Sequence, residues 1–202
     1  MATAQRRRAP RTAANVRREQ LVRAAVDAFA KHGYQGVELS TVAAEVGVTR
    51  NLIHHYFPGG KAELYLDAVR VACSELAQVL DISADVPLER KQSANTAAYV
   101  DELLGPSPNY ILYARASHSS DPAVREAAMA FREHLIRGMA FNHLGTERPS
   151  KRLRAALAGY VAFVEATADQ WREQKLRDRG ALEQLLADVL VATVGATAPR
   201  KS

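Results

Sequence analysis

The chain has 202 residues, of which 48% are hydrophobic and 24% are charged. This balance is typical of a soluble globular protein with one large domain or two small ones, and it excludes wholesale disorder and a fibrous repeat. Polar residues interrupt the longest apolar run, Leu182–Val194, and no export signal is recognisable, so we expect a cytoplasmic protein without a membrane span. Because Cys73 is the only cysteine, an intramolecular disulfide and a zinc site with several thiolates are excluded, and a buried core thiol is expected.

The positive charge is concentrated at the N-terminus. Six of the 27 basic residues lie in the first 18 positions, which hold no acidic residue, and the remaining 21 nearly balance the 22 acidic residues. They are Arg6, Arg7, Arg8, Arg11, Arg17 and Arg18. Such an arm gains affinity for a polyanion by releasing condensed counterions, and it need not be folded beforehand. One alternative is a solvated tail without a partner. Binding to an anionic membrane surface is a weaker alternative, since residues 6–15 offer no bulky apolar side chain.

Apolar residues recur at i, i+3, i+4 and i+7 along most of the chain, and no window alternates with a period of two. We therefore predict an all-α fold of about nine helices. The first helix carries a stripe that includes Leu21, Ala25 and Phe29, and it should end at Gly33 in a left-handed cap. The next helices are predicted at about Leu39–Val46, Arg50–Phe57 and, after the break at Pro58-Gly59-Gly60, Lys61–Asp81.

Three long helices are predicted in the C-terminal part. Asp121 is a good N-cap and Pro122 suits the first helical position, so a helix opens there and should end near Leu144. The last two helices cover about Lys151–Glu173 and Ala181–Val194. Because their apolar stripes are long and only a short loop separates them, we expect them to lie antiparallel as neighbours.

Two short helices between residues 38 and 57 are separated by a four-residue turn, Val46–Thr49. Gly47 permits the positive φ that a tight turn between helices requires, where a β-carbon would clash. Thr49 is placed to accept a hydrogen bond from an amide at the start of the next helix. Val48 and Ile53 are spaced as a hydrophobic staple, which fixes the direction in which that helix leaves the turn.

The helix that follows this turn is too short to be stable alone, so it must dock through one face. Ile53 and Phe57 lie four residues apart and form that face, which directs a polar edge toward solvent. On this edge, Arg50 is suited to the O6 and N7 of guanine and Asn51 to adenine, as in a helix-turn-helix whose second helix enters the major groove. Lys61, at the start of the fourth helix, is placed for a phosphate, and the alternative is a plain exposed lysine.

Three segments, Arg18–Tyr34, Val42–Thr49 and His54–Pro58, closely resemble the head of the TetR (tetracycline-repressor-like) transcriptional regulators. The resemblance covers about residues 17–64. Its landmarks coincide at fixed spacing: Ala-Ala and Phe before Gly-Tyr, the Ala-x-x-Val-Gly-Val turn, and an aromatic-Phe end followed by lysine. It implies a helix-turn-helix head that meets DNA. Our candidate DNA-binding residues are Ser40, Thr41, Thr49, Arg50, Asn51, Leu52, His54, His55, Tyr56 and Lys61.

The sequence departs from the family's pattern at several places. Glu38 opens the second helix where threonine is frequent, and Ser40 stands where an arginine that contacts phosphate is common, so this helix should grip the DNA backbone more weakly and the basic arm should compensate. Three residues separate Phe57 from Lys61 where two are more usual. Asn51 replaces a frequent glycine, which should change the bases that are read and not whether DNA is bound.

We expect four parts: a basic flexible arm at 1–16, a DNA-binding domain at 17–60, a helical effector-binding and dimerisation domain at 61–196, and a flexible tail at 197–202. The resemblance implies a homodimer held by the last two helices, and their broad apolar stripes support it. A monomer in which both are core helices is the alternative. Two heads would place their recognition helices ~34 Å apart, which matches a palindromic operator.

An effector pocket is expected within residues 85–145. Its available lining is mostly apolar or aromatic, which favours an apolar or amphipathic small molecule, while core packing is the alternative for most of these side chains. Our candidate ligand-binding residues are Tyr99, Leu103, Tyr113, Phe131 and Phe163. A ligand that prefers one arrangement of the helical body would shift the heads through the fourth helix and release a repressor from its operator. The sequence leaves the sign of the response open, so a corepressor or an activator is the alternative.

A helical enzyme is the alternative from a different class, and a helical interaction module without DNA binding is another. The segment Phe57–Ala62 departs twice from a phosphate-binding loop, since His55 stands where glycine is needed and Ala62 where serine or threonine is needed. Neither a G-x-S-x-G elbow nor an H-E-x-x-H pair occurs. Adjacent His54 and His55 point about 100° apart on a helix and make a poor metal pair. We therefore expect a regulator with no catalytic residue, metal or cofactor.

Overall fold

The computed structural model describes residues 13–80 and 97–197. The basic arm predicted at 1–16 therefore lies outside the described residues, except for its last four positions, which form the first turn of a helix. Of the tail predicted at 197–202, Thr197 is described, and it is the last residue of the final helix.

The described residues form nine helical segments and no strand, which confirms the all-α prediction. We number the helices in chain order. They are α1 Ala13–Gly36, α2 Leu39–Glu45, α3 Arg50–Tyr56, α4 Gly60–Leu80, α5 at residues 97–104, α6 Pro108–Ser117, α7 Pro122–Leu144, α8 Lys151–Glu173 and α9 Arg179–Thr197. The ends lie close to the predicted ones, because caps and breakers in the sequence mark most of them.

The chain divides into two compact units, Met1–Ala68 and Val69–Ser202. The described part of the first unit, which we call the head, holds α1 to α3 and the first nine residues of α4. The described part of the second unit, which we call the body, holds the rest of α4 and α5 to α9. The division thus falls inside α4, about two turns after the boundary that the sequence suggested near Lys61.

Apolar side chains of three helices build the core of the head. Leu21, Ala25 and Phe29 of the predicted α1 stripe have no exposed surface. The short helix α2 packs against both α1 and α3, and Val42 and Ile53 are also completely buried. Each large apolar side chain buried in this way contributes roughly 1.5–3 kcal/mol, which is what holds seven-residue helices that would not persist alone.

The end of α1 is broken by a glycine. Gly33 has φ 71° and ψ 171°, a combination that residues with a side chain rarely adopt, and the regular helix stops there. The predicted positive φ is confirmed, but the predicted left-handed cap is wrong, because ψ is far from the left-handed helical value of about +47°. After the break, Tyr34 lies against the rings of Phe29 and Tyr65, with centroid distances of 6.1 and 5.0 Å.

The predicted N-cap of α7 and its predicted end near Leu144 are confirmed. The carboxylate of Asp121 accepts hydrogen bonds from the amides of Ala123 at 2.8 Å and Val124 at 3.4 Å, and proline follows at the first helical position. At the other end, Gly145 takes the left-handed conformation, with φ 63° and ψ 20°. Both ends of this 23-residue helix were thus encoded locally.

The antiparallel pairing of α8 and α9 is also confirmed. Arg152, near the start of α8, donates to the carbonyl of Ala196 near the end of α9 at 2.9 Å. Tyr160, two turns further along α8, donates to the carbonyl of Leu186, earlier in α9, at 3.0 Å. The apolar side chains buried along the pair are Leu153, Leu157, Val161, Val164, Leu182, Leu186 and Leu190.

Among the described helices, α9 is the one that is long and apolar enough to cross a membrane by length and composition, and 17% of its apolar window is buried. A core helix of a soluble protein passes the same test. Here α9 contains Glu183 and Asp188 and packs on α8, and its exposed residues include the apolar Leu185 and Val191.

Candidate nucleic-acid interface

A Schellman motif forms the turn between α2 and α3. The amide of Val48 donates to the carbonyl of Ala43 at 2.9 Å, and that of Gly47 donates to Ala44 at 3.1 Å. These two bonds pair the last carbonyls of α2, and they require a left-handed residue directly after the C-cap. Gly47 supplies it with φ 68°, as predicted.

The reason for glycine at position 47 is local. Apart from its chain neighbours, a β-carbon built on Gly47 would meet no heavy atom within 4 Å, so the expected clash is confined to the adjoining backbone. The requirement lies in the backbone itself, since a left-handed conformation costs an L residue roughly 1–2 kcal/mol.

Thr49 occupies the N-cap position of α3 in an extended conformation, but its side chain makes no capping hydrogen bond. The predicted side-chain cap is therefore wrong. The first turn of α3 is closed instead by the backbone, where the amide of Leu52 donates to the carbonyl of Thr49 at 3.0 Å. The hydroxyl of Thr49 is exposed and remains available for a partner outside the chain.

The two faces of α3 separate as the sequence predicted. Ile53 and Phe57 have no exposed surface and anchor the helix to the head. Leu52 and Tyr56 are half-buried. The exposed side chains of the helix are Arg50, Asn51, His54 and His55. They form a continuous polar edge, which we call the α3 edge, and no neighbouring element covers it in the head.

Two other features of the α3 edge fix its shape. The rings of His55 and Tyr56 meet edge to face with their centroids 5.3 Å apart. The ring of His54 lies beside Gly60, at 3.7 Å from the place where a β-carbon would stand. Gly60 itself has φ 66° and begins α4, and the amide of Gly59 donates to the Glu63 carboxylate at 2.8 Å. The extra residue between Phe57 and Lys61 is accommodated in this loop.

The candidate DNA-contacting residues on α2 are exposed, but one of them already makes a hydrogen bond within the head. Ser40 and Thr41 both face solvent. The hydroxyl of Ser40 donates to the carboxylate of Glu38 at 3.2 Å. A phosphate approaching Ser40 would therefore meet a negative charge, which is the physical reason to expect a weaker backbone grip from this helix.

Lys61 is held in place at the start of α4. Its ammonium donates to the carbonyl of Gln35 at 3.3 Å and lies 4.9 Å above the ring of Tyr34. An ammonium has three donors, so the contact with Gln35 leaves two for a phosphate. The plain exposed lysine considered as an alternative does not describe this half-buried, oriented side chain.

Two arginines that the charge pattern grouped with the arm belong to the fold of the head. Arg17 donates to the carbonyl of Val46, the C-cap of α2, at 3.4 Å. Arg18 pairs with the carboxylate of Asp67 and lies 4.8 Å above the ring of Phe57. Both were missed as structural residues, because the partners lie far along the chain and no local pattern marks them.

In the body, several predicted ligand-binding residues surround one carboxylate. The hydroxyl of Tyr113 donates to Glu165 at 2.6 Å, and its ring meets that of Phe131 edge to face with centroids 4.8 Å apart. Burial raises the pKa of Tyr99 well above its usual range, and the charges of the nearby Tyr113 and Glu165 add to the rise. Together with Tyr110 and Arg132, these residues form what we call the aromatic cluster.

The other two candidate ligand-binding residues, Leu103 and Phe163, lie in different surroundings. Leu103 is completely buried, and its carbonyl accepts a hydrogen bond from Arg172, whose guanidinium lies 5.6 Å from the centre of the Tyr110 ring. Phe163 lies apart from the other candidates, in a groove on the outer side of α8 and α9. Glu165 and Arg132, which pair at 3.5 Å, were not predicted, although each directly follows a buried apolar residue of its helix.

No group of three or more histidine, cysteine, aspartate or glutamate side chains is placed to hold a metal in the described ranges. Cys73 is buried, as expected, and burial raises the pKa of its thiol to about 12, so it stays protonated at neutral pH.

Comparison with known proteins identifies the head. Residues 21–68 match the model of the bacterial regulatory proteins of the tetR family. The HTH-type transcriptional regulator BetI of Brucella abortus is 37% identical over 78 residues, which cover 37% of this chain and 39% of that protein. BetI of Brucella anthropi is 27% identical over 129 residues, covering 60% and 66% respectively. The chain thus spans less than two thirds of the curated relatives that it matches.

Solved structures share the fold over most of the chain. A tetR-family transcriptional regulator from Streptomyces coelicolor superimposes with a TM-score of 0.76 at 24% identity, covering 90% of this chain and 81% of that one. A TetR-like regulator from Rhodococcus sp. RHA1 gives a TM-score of 0.68 at 20% identity, covering 94% and 100%. All of these relatives are described as transcriptional regulators, which agrees with a regulator rather than an enzyme. The head therefore matches the tetR family of bacterial regulatory proteins in sequence, and the chain shares its overall fold with TetR-like transcriptional regulators.

Proposed function

We propose that the protein represses transcription by binding a palindromic operator as a homodimer, and that a small molecule releases it. The observation that carries this proposal is the α3 edge. A seven-residue helix presents arginine, asparagine and two histidines to solvent, while Ile53 and Phe57 behind it are completely buried. Insertion into the major groove explains why so short a helix exposes these side chains.

The chemistry of the α3 edge suits base edges. The guanidinium of Arg50 matches the O6 and N7 of guanine in a bidentate pair, and the amide of Asn51 matches the N6 and N7 of adenine. The imidazoles of His54 and His55 lie one turn further along and offer ring nitrogens to bases or phosphates. Each good bidentate pair contributes about 1–3 kcal/mol of discrimination against the wrong base.

Contacts with the DNA backbone would flank this edge. Lys61, oriented by Gln35 and Tyr34, and the exposed hydroxyls of Thr41 and Thr49 are the candidates on either side. The arginines at positions 6 to 11 would add phosphate or minor-groove contacts beside the head. These contacts position the protein, and the α3 edge supplies the sequence preference.

The dimer is proposed to form through α8 and α9. A groove of about 450 Å³ runs between them on the outer side and is lined by Gly159, Phe163 and Val189, among others. On the same side of α9, Leu185 is 39% exposed, one turn before Val189. A second copy of this surface would cover the apolar face of α9 and give the two-fold symmetry that a palindrome requires. Phe163 would then belong to the dimer and not to the effector pocket.

The effector is proposed to bind in the body, where aromatic and apolar side chains dominate, and to shift the heads through α4. A ligand changes operator affinity only if it binds one arrangement of the protein better than another. Such a regulator acts where the chromosome lies, so we propose a cytoplasmic location.

The proposal is tested with the purified protein and DNA fragments from upstream of its own gene, in a mobility-shift assay with excess competitor DNA. We expect retention of one fragment at nanomolar protein, and loss of the complex with an active lipophilic compound. Binding of all fragments with equal affinity would refute the operator proposal, whereas a complex strengthened by the compound would show a corepressor.

A further inference from the structure

The aromatic cluster holds two polar atoms whose hydrogen-bonding needs are unmet. Among the described residues, three buried side-chain atoms have no partner: the hydroxyl oxygen of Tyr99 and the Nε of Arg132, which both belong to this cluster, and the Nε1 of Trp171. Folded proteins pair nearly all such atoms with protein, water or ligand, because a buried donor without an acceptor is costly. Two such atoms around one carboxylate therefore indicate a group that the chain itself does not supply.

The carboxylate of Glu165 is not that group, because neither of the two atoms is hydrogen-bonded to it. It accepts the hydroxyl hydrogen of Tyr113 at 2.6 Å and pairs with a terminal nitrogen of Arg132 at 3.5 Å. Nearby on α8, Asp169 pairs with Arg172. The positive and negative charges of this region balance, so a cationic ligand would find no unpaired carboxylate here.

The missing partner must be a hydrogen-bond acceptor. The Nε of arginine carries a hydrogen and only donates, and the hydroxyl of Tyr99 can donate as well. We propose that the body binds its effector through an oxygen acceptor, a carbonyl or a carboxylate, which receives hydrogen bonds from Tyr99 and from the Nε of Arg132. This inference rests on the proposed function, since it names the chemical class of the effector.

Two grooves in the body offer apolar side chains to the rest of such a ligand. Phe131, which packs on Tyr113, also lines a groove of about 520 Å³ between α4 and α7. Alanines and Cys73 form part of that lining, together with the polar Arg70, Ser74, Glu126, His134 and Arg137. Arg132 itself lines a second groove, of about 760 Å³, with the apolar Met129, Ile136 and Ala158, so an apolar part of the ligand would lie beside this donor.

The first test needs no ligand. If the hydroxyl of Tyr99 serves only an effector, Tyr99→Phe removes an unmet group, and the melting temperature of the free full-length protein should stay the same or rise. Tyr113→Phe is the matched control, since its hydroxyl bonds to Glu165, and it should lower the melting temperature by roughly 2–4 °C. A drop for Tyr99→Phe as large as that for Tyr113→Phe would show a structural partner, such as a bound water, and overturn the proposal.

The second test uses three probes of similar size in the millimolar range: benzylacetone, which is a ketone, hydrocinnamate, which is a carboxylate, and phenylpropylammonium, which is a cation. We expect one of the two oxygen-bearing probes to raise the melting temperature and the cation not to do so. Calorimetry should then show that Tyr99→Phe weakens binding of that probe about fivefold to tenfold. The two oxygen-bearing arms distinguish a neutral from a charged acceptor.

Three results would overturn the proposal: stabilisation by the cation that equals or exceeds that of the oxygen-bearing probes, no stabilisation by either oxygen-bearing probe, or an affinity that Tyr99→Phe leaves unchanged. None of these measurements contains DNA. Failure here therefore leaves operator binding untouched, whereas failure of the proposed function appears as a wild-type protein that selects no DNA fragment.

Discussion

Individual side chains on the α3 edge should determine which DNA is bound. His55→Ala and, separately, Arg50→Ala are expected to abolish specific operator binding and to leave the dimer intact, because both side chains are exposed and neither belongs to the core. Each lost base contact should cost about 1–3 kcal/mol of discrimination. Fluorescence anisotropy with operator and scrambled duplexes measures the ratio.

The matched control for His55→Ala is His32→Ala, which removes an exposed histidine of α1 outside the proposed interface. It should leave the ratio of operator to scrambled affinity as in the wild type. If His55→Ala retained that ratio as well, the assignment of α3 to the major groove would be wrong.

Gly47 makes a different residue-scale prediction, since its role is conformational. Gly47→Ala creates no contact within 4 Å beyond its chain neighbours, so its cost should be only that of the left-handed backbone, about 1–2 kcal/mol of unfolding free energy. Gly138→Ala in α7 also meets nothing within 4 Å but has no positive φ, and it should instead stabilise by up to about 1 kcal/mol. Urea unfolding gives both values, and equal signs would contradict this account of the turn.

At the scale of elements, two N-caps of the same apparent quality in the sequence differ in the structure. Asp121 accepts two amide hydrogen bonds at the start of α7, whereas Thr49 makes none at the start of α3. Asp121→Ala should therefore destabilise the protein by about 1 kcal/mol, and Thr49→Ala by only a few tenths. Thermal unfolding of the two variants in parallel checks the order. A larger loss for Thr49→Ala would mean that its hydroxyl caps α3 in solution.

For the whole molecule, the first prediction concerns the arm. Deleting residues 1–12 removes Arg6, Arg7, Arg8 and Arg11 but retains α1 with Arg17 and Arg18, which stabilise the head. Affinity for every DNA sequence should fall, and the slope of log K against log salt should flatten by about 0.9 for each arginine that contacts a phosphate. An unaltered slope would show that the arm makes no phosphate contacts.

The second whole-molecule prediction concerns assembly. Leu185→Glu places a charge on the outer face of α9 and should convert the proposed dimer to a monomer in analytical ultracentrifugation, with weaker operator binding as a consequence. Leu176→Glu is the control, because Leu176 is similarly exposed, at 46%, but precedes α9. A Leu185→Glu protein that sediments as a dimer would move the interface away from this face.

The sequence alone determined what depends on neighbours within a few positions. The period of the apolar residues encoded the helices. Asp121 and Gly145 encoded the two ends of α7, and Gly47 encoded the turn before α3. Because Ile53 and Phe57 are four residues apart, the same pattern also predicted the outward edge of α3. These features follow from helix geometry and backbone sterics, which act over one or two turns.

Only the tertiary structure decided which side chains meet across the chain. Arg18 pairs with Asp67 across a sequence separation of 49 residues, and Tyr113 bonds to Glu165 across a separation of 52. No local rule marks such pairs, because their distance is set by how helices pack and not by sequence spacing. The same packing separated Phe163 from the aromatic cluster and left the hydroxyl of Tyr99 buried without a partner.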